Sequence, residues 1–202
     1  MIRLRSLAAA TLALMLAACA SAPMHYHTLV APAATPSNVS VGASLPFELL
    51  PVHIPVQVDQ PQLVVRQGEQ GVALLDGERW VAPLADEVHS ALSSDLVQAL
   101  PGQNVNGLPM GSKPVLRITL NLRRFDSLPG DYALIDAAWS LRLSQPVDGA
   151  TLACTSQIRE SVGAGYDALV QGHQQALQRL AEQIGRAARP FAAGQPVSCP
   201  GG

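Results

Sequence analysis

The sequence is poor in basic residues and in long apolar runs. It contains a single lysine, Lys113, and its 13 Lys and Arg residues are outnumbered by 15 Asp and Glu residues. A basic stripe of the kind that binds nucleic acid is therefore absent, and we set that class of function aside. The apolar stretch Leu7–Leu16 contains no charge and no proline, but its ten residues are too few to cross a hydrocarbon core about 30 Å thick. No later apolar run approaches that length.

Motifs that carry known chemistry are missing as well. The chain has no Gly-rich phosphate loop with Lys, no Gly-x-Ser-x-Gly elbow, no His-Glu-x-x-His and no Cys-x-x-Cys. The segment Gly163-Ala164-Gly165 lacks the continuation that a dinucleotide fingerprint needs. The sequence therefore predicts a non-catalytic protein that binds neither a metal nor a cofactor.

The N-terminus has the pattern of a bacterial lipoprotein signal. Arg3 and Arg5 precede the short apolar stretch, and Leu16-Ala17-Ala18-Cys19 follows it. We expect cleavage after residue 18, and N-acyl and S-diacylglycerol chains on Cys19 that together hold the protein on a membrane. The alternative is a plain signal peptide with an incidental cysteine. Under the sorting rule of Gram-negative lipoproteins, Ala20 in place of Asp favours the outer membrane, with the body in the periplasm.

Removal of residues 1–18 leaves 184 residues, a normal size for one domain. It also removes two arginines, so that 11 basic residues face 15 acidic ones and the mature chain is acidic. We predict a lipidated N-terminus and short linker over 19–25, one domain over 26–190, and a loosely ordered Pro- and Gly-rich tail over 191–202.

Hydrophobic periodicity predicts an α+β fold. Apolar and polar residues alternate without a fault in Leu116–Arg123, which indicates a strand with one face in the core. Further strands are expected at Tyr26–Val30, Phe47–His53, Gln62–Arg66, Val72–Leu75, Ile135–Leu143 and Leu152–Ile158. Helical stripes follow Pro83 and Asp167, and the second helix is expected to end near Ala188. We predict a largely antiparallel sheet with two amphipathic helices packed on one face.

The cysteines outside the lipobox predict a disulfide. With Cys19 acylated, Cys154 and Cys199 remain, and in the oxidising periplasm they allow one intramolecular pairing. A bond between them would tie the C-terminal tail to the domain. The alternative is two free thiols.

Four further residues invite functional interpretations. His25 and His27 share one strand face and could clamp a metal, but no third ligand lies near them in sequence, which favours an inert surface pair. His173 falls in the helical stripe and is expected to be buried. Asp126 falls in a predicted turn, Asp126–Asp131, and is expected to be solvated.

Several local segments together resemble one known family. They are Tyr26-His27-Thr28-Leu29 just after the lipobox, Val52-His53-Ile54-Pro55, Asp59-Gln60-Pro61-Gln62-Leu63-Val64-Val65-Arg66, and Arg79-Trp80-Val81-Ala82-Pro83-Leu84. In order and spacing they are similar to the ABC-type transport auxiliary lipoproteins, the PqiC-like lipoproteins. The residues that carry the resemblance, and to which it assigns a structural role, are Asp59, Pro61, Gln62, Arg66, Arg79, Trp80, Pro83 and Leu84. From its position, Trp80 either anchors the helix start, which we favour, or belongs to a binding surface.

The resemblance implies a role without a reaction. Members of this family accompany transporters that move lipids between two membranes through an ATPase, a permease and a periplasmic MCE-domain protein. It thus implies a docking subunit that holds the MCE component to the outer membrane and supports envelope integrity, with a possible homo-oligomer. Two alternatives remain: a periplasmic lipid carrier with its own apolar pocket, and an envelope hydrolase.

Overall fold

The computed structural model describes residues 23–32, 46–108, 113–145 and 149–200. The predicted signal peptide and the lipobox Cys19 lie outside the described residues. The elements, in chain order, are β1 (His25–His27), β2 (Phe47–Leu49), β3 (Gln62–Gln67), β4 (Gly71–Trp80), α1 (Leu84–Ala99), β5 (Leu116–Leu128), β6 (Tyr132–Leu143), β7 (Thr151–Ser161) and α2 (Tyr166–Ala192).

The predicted α+β class is confirmed, but the described strands form two sheets instead of one. One has the order β1-β4-β3 and the other the order β2-β5-β6-β7. Pairing is antiparallel except for β1 with β4 and β2 with β5. The two sheets are separate because β2 forms backbone pairs with the start of β5. β3 lies beside the second half of β5 but is not paired with it as a strand.

Strand β5 is longer than its sequence pattern indicates. The alternation of Leu116–Arg123 is present, with the apolar residues buried. The register with β6 then shifts between Leu122 and Arg124, and this bulge returns Phe125 to the core. The predicted turn at Asp126–Asp131 is wrong in its bounds, since the strand continues to Leu128.

The two helices close the core together. α2 lies across β5, β6 and β7, and α1 packs against α2. The predicted stripe of α2 is buried in full, namely Leu169, His173, Leu177, Leu180 and Ile184. The helix runs through Pro190 to Ala192, beyond the expected end at Ala188. Pro83, which the predicted helical stripe follows, is the N-cap of α1, and its carbonyl accepts hydrogen bonds from the amides of Asp86 and Glu87.

The tail returns from α2 to the sheet. A disulfide joins Cys154, buried on the inward face of β7, to Cys199, with an Sγ–Sγ distance of 2.03 Å. Val197 packs against the core beside it. The expectation of a loosely ordered tail is wrong as far as Pro200, because the bond and these apolar contacts hold it on the domain.

Candidate functional site

The N-terminal strand β1 is paired with the domain, only two residues after the first described residue, Pro23. β1 pairs in parallel with β4, so that His25, Tyr26 and His27 lie opposite Glu78, Arg79 and Trp80. β1 begins six residues after Cys19, the predicted lipid attachment site. This strand is therefore the place where a force on the N-terminus would reach the fold.

One carboxylate joins the two histidines of β1. Glu78 Oε1 lies 2.9 Å from His25 Nδ1, and Glu78 Oε2 lies 2.6 Å from His27 Nε2. His27 Nδ1 is also 3.6 Å from Asp167 Oδ1 at the start of α2. Among the described residues no group of three or more His, Cys, Asp or Glu side chains is arranged to hold a metal ion. The pair that sequence left between a metal clamp and an inert surface feature is an acid–base contact.

The contact between His25 and Glu78 shifts the pKa of both groups. The hydrogen bond to Glu78, helped by its charge, raises the pKa of His25. Desolvation acts to raise the pKa of Glu78, but the hydrogen bonds and charges of His25 and His27 lower it overall. A protonated histidine and an ionised Glu78 therefore favour each other in the folded state.

We expect Glu78→Gln to loosen β1 more at pH 6 than at pH 8.5. The stabilisation linked to the raised pKa of His25 is full below the unfolded value near 6.5 and is lost as pH rises through the folded pKa. The part linked to the lowered pKa of Glu78 is present above about 4.5 and is lost as pH falls. Hydrogen exchange of the His27 and Val81 amides measures the loosening. Glu69→Gln, at an exposed turn, is the control; an equal effect of Glu78→Gln at both pH values would contradict the mechanism.

A second carboxylate holds the residues after β1. Glu87, in the first turn of α1 and only 3% exposed, accepts hydrogen bonds from Thr28 Oγ1 and Leu29 N, each at 2.8 Å. Its charge also suits the positive end of the α1 dipole. Gln174 of α2 donates to the Thr28 carbonyl. The N-terminal segment is thus bonded to both helices as well as to β4.

Most of the residues that carry the family resemblance gather at this attachment. Arg79 lies between Tyr26 and Gln62 in the sheet, and Trp80 N donates to the Pro61 carbonyl at 2.9 Å. Trp80 is buried and meets the Phe125 ring edge-on at 6.2 Å, which favours its role as an anchor of the helix start. Pro83 and buried Leu84 begin α1 directly afterwards. Asp59 is exposed in the loop before Pro61.

Arg66, the remaining residue of that set, lies further along β3 and bonds to β5. Its Nε donates to Asp126 Oδ1 at 2.7 Å, and Arg124 Nη2 donates to Asp126 Oδ2 at 2.6 Å. Burial acts to raise the pKa of Asp126, but the two guanidinium groups lower it. The prediction of a solvated Asp126 is wrong. β5 continues past the bulge, and Arg66 of β3 covers the Asp126 carboxylate, which is buried. The pairing depends on two strands 60 residues apart, so no local sequence signal could have indicated it.

The structure also brings a serine and a histidine together inside the core. Ser127 Oγ lies 2.8 Å from His173 Nε2, and the His173 ring stacks on Phe125 at 3.8 Å. Burial lowers the pKa of His173 to about 3, so the ring is neutral. Ser127 is 4% exposed and His173 1%, so the pair is closed to a polymer substrate. Its role in the described structure is to hold α2 on β5.

The described surface includes two shallow depressions whose linings bear on function. The larger, about 530 Å³, lies on the outer face of the four-stranded sheet and is lined by Thr119, Asn121, Ala138, Trp139, Ser140, Ala153, Cys154, Thr155, Cys199 and Pro200. The smaller, about 490 Å³, surrounds the His25–Glu78–His27 contact. The lining of the larger depression is mostly apolar, with hydroxyl and amide groups among it, whereas the smaller is lined by imidazole and carboxylate groups. Both are open to solvent, unlike the enclosing apolar pocket that a lipid carrier would need.

Known proteins resemble the chain in sequence pattern and in fold. A family model described as the ABC-type transport auxiliary lipoprotein component matches residues 27–185. A solved structure titled only as an uncharacterized protein has 20% identity and a TM-score of 0.63, covering 82% of this chain and 98% of that one. Protein XCC0632 from Xanthomonas campestris, of family DUF330, has 14% identity and a TM-score of 0.61, covering 86% and 98%. At these identities the two structures show a shared fold. No curated protein matches the chain.

Among the described residues, no helix combines the length and the apolar character needed to cross a membrane.

Proposed function

The chain belongs to the ABC-type transport auxiliary lipoprotein family, and we propose that it is the outer-membrane docking subunit of an MCE-type lipid transport system. In this role Cys19 carries the lipid anchor, the domain faces the periplasm, and a periplasmic MCE-domain protein is the partner. The protein works by contact and catalyses no reaction.

The observation that carries the proposal is the attachment of the N-terminal segment. Within eleven residues of Cys19 the chain is bonded to β4 through β1, to α1 through Glu87 and to α2 through Gln174. A protein that only had to stay near a membrane could use a slack linker. A short tether fixed on three elements instead holds the domain close to the surface, where a weakly binding partner is met at high effective concentration.

We expect Cys19→Ser to abolish both membrane attachment and function. Without the thiol no diacylglyceryl group can be added, so the lipoprotein signal peptidase leaves an unprocessed precursor. A chain given a cleavable signal and no Cys19 should be soluble, folded and unable to restore resistance to detergents in a deletion strain. Ser21→Ala, which leaves the lipobox intact, is the matched control and should fractionate with the outer membrane.

In-cell crosslinking of the lipidated protein tests the partner. Crosslinkable residues placed over the exposed surface should capture a periplasmic MCE-domain protein, and the capture should fall strongly in the form without Cys19. The docking proposal fails if that soluble form restores the barrier fully. It also fails if a scan of the folded surface captures no component of the transporter.

A further inference from the structure

Exposed apolar side chains are concentrated on the three-stranded sheet. Of the nine large apolar residues that are exposed in the described part of the chain, four lie on or directly after its strands: Tyr26, Val72, Leu74 and Val81. Two more, Met24 and Val30, flank β1. We refer to Tyr26, Val72, Leu74 and Val81 as the apolar face.

Strand alternation on either side of the register shift between β3 and β4 places these four side chains on one side of the sheet. Ala73 and Leu75 of β4 pack against the core, so Val72 and Leu74 point away from it. At the other end of β4, Trp80 is buried, and His25 and His27 reach the helix side, where Asp167 of α2 lies. Tyr26 and Val81 alternate with these residues. Arg79, the partner of Tyr26, also pairs with Gln62, which lies on the same face of β3 as Val64, the partner of Leu74. Tyr26 and Val81 therefore point outward with Leu74.

Arginines border the apolar face. Arg79 lies opposite Tyr26 and Gln62, and Arg66 lies opposite Val72. Arg66 is already paired with Asp126. Arg79 makes a hydrogen bond to the Asp76 carbonyl at 3.4 Å, which leaves its charge without a carboxylate partner among the described residues. A tyrosine and aliphatic residues beside a guanidinium suit a boundary between water and lipid.

The distance to the lipid anchor selects the occupant of this face. Three residues separate Cys19 from Pro23, where the described chain begins, and the four Cα–Cα steps between them span at most about 14 Å. Tyr26 is only three residues further on. The membrane surface that takes up the acyl chains is therefore always within about 25 Å of Tyr26, whereas a second copy or a soluble partner has to diffuse to it.

We infer that the apolar face rests on the lipid surface that holds the anchor, with Tyr26, Leu74, Val72 and Val81 at the headgroup level and Arg79 directed to phosphate oxygens. The inference rests on the proposed lipidation of Cys19. The tether makes the contact intramolecular, so partial burial of four side chains is enough. The domain then has a defined orientation, with the opposite side free for the partner.

Site-specific quenching tests this orientation. Full-length lipidated protein carrying Leu74→Cys is labelled with an environment-sensitive NBD group and reconstituted in vesicles of phosphatidylethanolamine and phosphatidylglycerol. Val97→Cys on α1 is the matched control, because Leu74 and Val97 are 48% and 45% exposed. The native cysteines do not compete, since Cys19 is acylated and Cys154 is bonded to Cys199. A nitroxide lipid should lower the fluorescence at position 74 at least twofold and leave position 97 nearly unchanged.

Three outcomes would overturn the inference, and they are distinguishable. Flotation of the vesicles is measured first: a protein that does not float refutes the anchoring itself, which the proposed function shares. A protein that floats but is quenched equally, or not at all, at both positions refutes only the orientation. If the label at 74 is shielded from aqueous iodide at high protein density, exposed on dilution and insensitive to the nitroxide lipid, a second copy covers the face instead.

Discussion

Replacing Gly172 with valine is expected to lower the free energy of unfolding by about 3 kcal/mol or more, the upper range for overpacking a core. Gly172 lies in α2 where the helix crosses the sheet. A Cβ built there would overlap Val162 and would lie 3.1 Å from the Ala133 Cβ, so the helix or the strand ends would have to move. Urea denaturation measures the loss.

Alanine at the same position separates crowding from helix propensity. Gly172→Ala gains roughly 1 kcal/mol of helix propensity but places the same Cβ against Val162, so we expect a smaller net loss. Gln171→Val puts the same branched residue at the neighbouring exposed position and should change stability by less than about 1 kcal/mol. If Gly172→Val and Gln171→Val were equally stable, the close approach would have no energetic importance.

The case of Gly172 shows where sequence reasoning ends. The apolar stripe of α2 could be predicted because its spacing is a property of the helix alone. The need for glycine arises only after the helix has docked on Ala133 and Val162, which are far from each other in sequence. The alternation in β5 was likewise readable up to Arg123, whereas the bulge that follows depends on the pairing with β6.

The candidate site divides in the same way. The family residues from Pro61 to Leu84 could be identified from local order and spacing, and the family model covers them. The lipobox at Cys19 is read from the same kind of local pattern and stays a prediction. The hydrogen bonds that attach the N-terminal segment could not be predicted from the sequence. Glu78 and Glu87 bind residues more than 50 positions earlier in the chain. An isolated acidic residue in sequence gives no indication of which backbone amide or imidazole it will bind.

The disulfide is predicted to contribute about 4 kcal/mol to stability. Cys154 and Cys199 are 45 residues apart, and closing a loop of that length in the unfolded chain costs roughly this amount in the chain-entropy model. Cys199→Ser should therefore lower the urea midpoint strongly. A reducing agent should have a comparable effect on the wild type and none on the variant.

The consequences of breaking the bond should begin at β7. Cys154 lies opposite Trp139 in the sheet. Two residues further along β7, Ser156 Oγ accepts a hydrogen bond from Trp139 Nε1 at 2.9 Å and donates one to Gln183 Oε1 of α2 at 2.6 Å. Because β7 is the edge strand, release of the tail leaves that hydrogen-bonded link as the nearest tie between sheet and helix. Amide exchange in Cys199→Ser should rise first in β7 and in α2 near Gln183, while β1 and the Glu87 contacts stay protected. Uniform exchange across both sheets would instead show that the bond acts only on the unfolded chain.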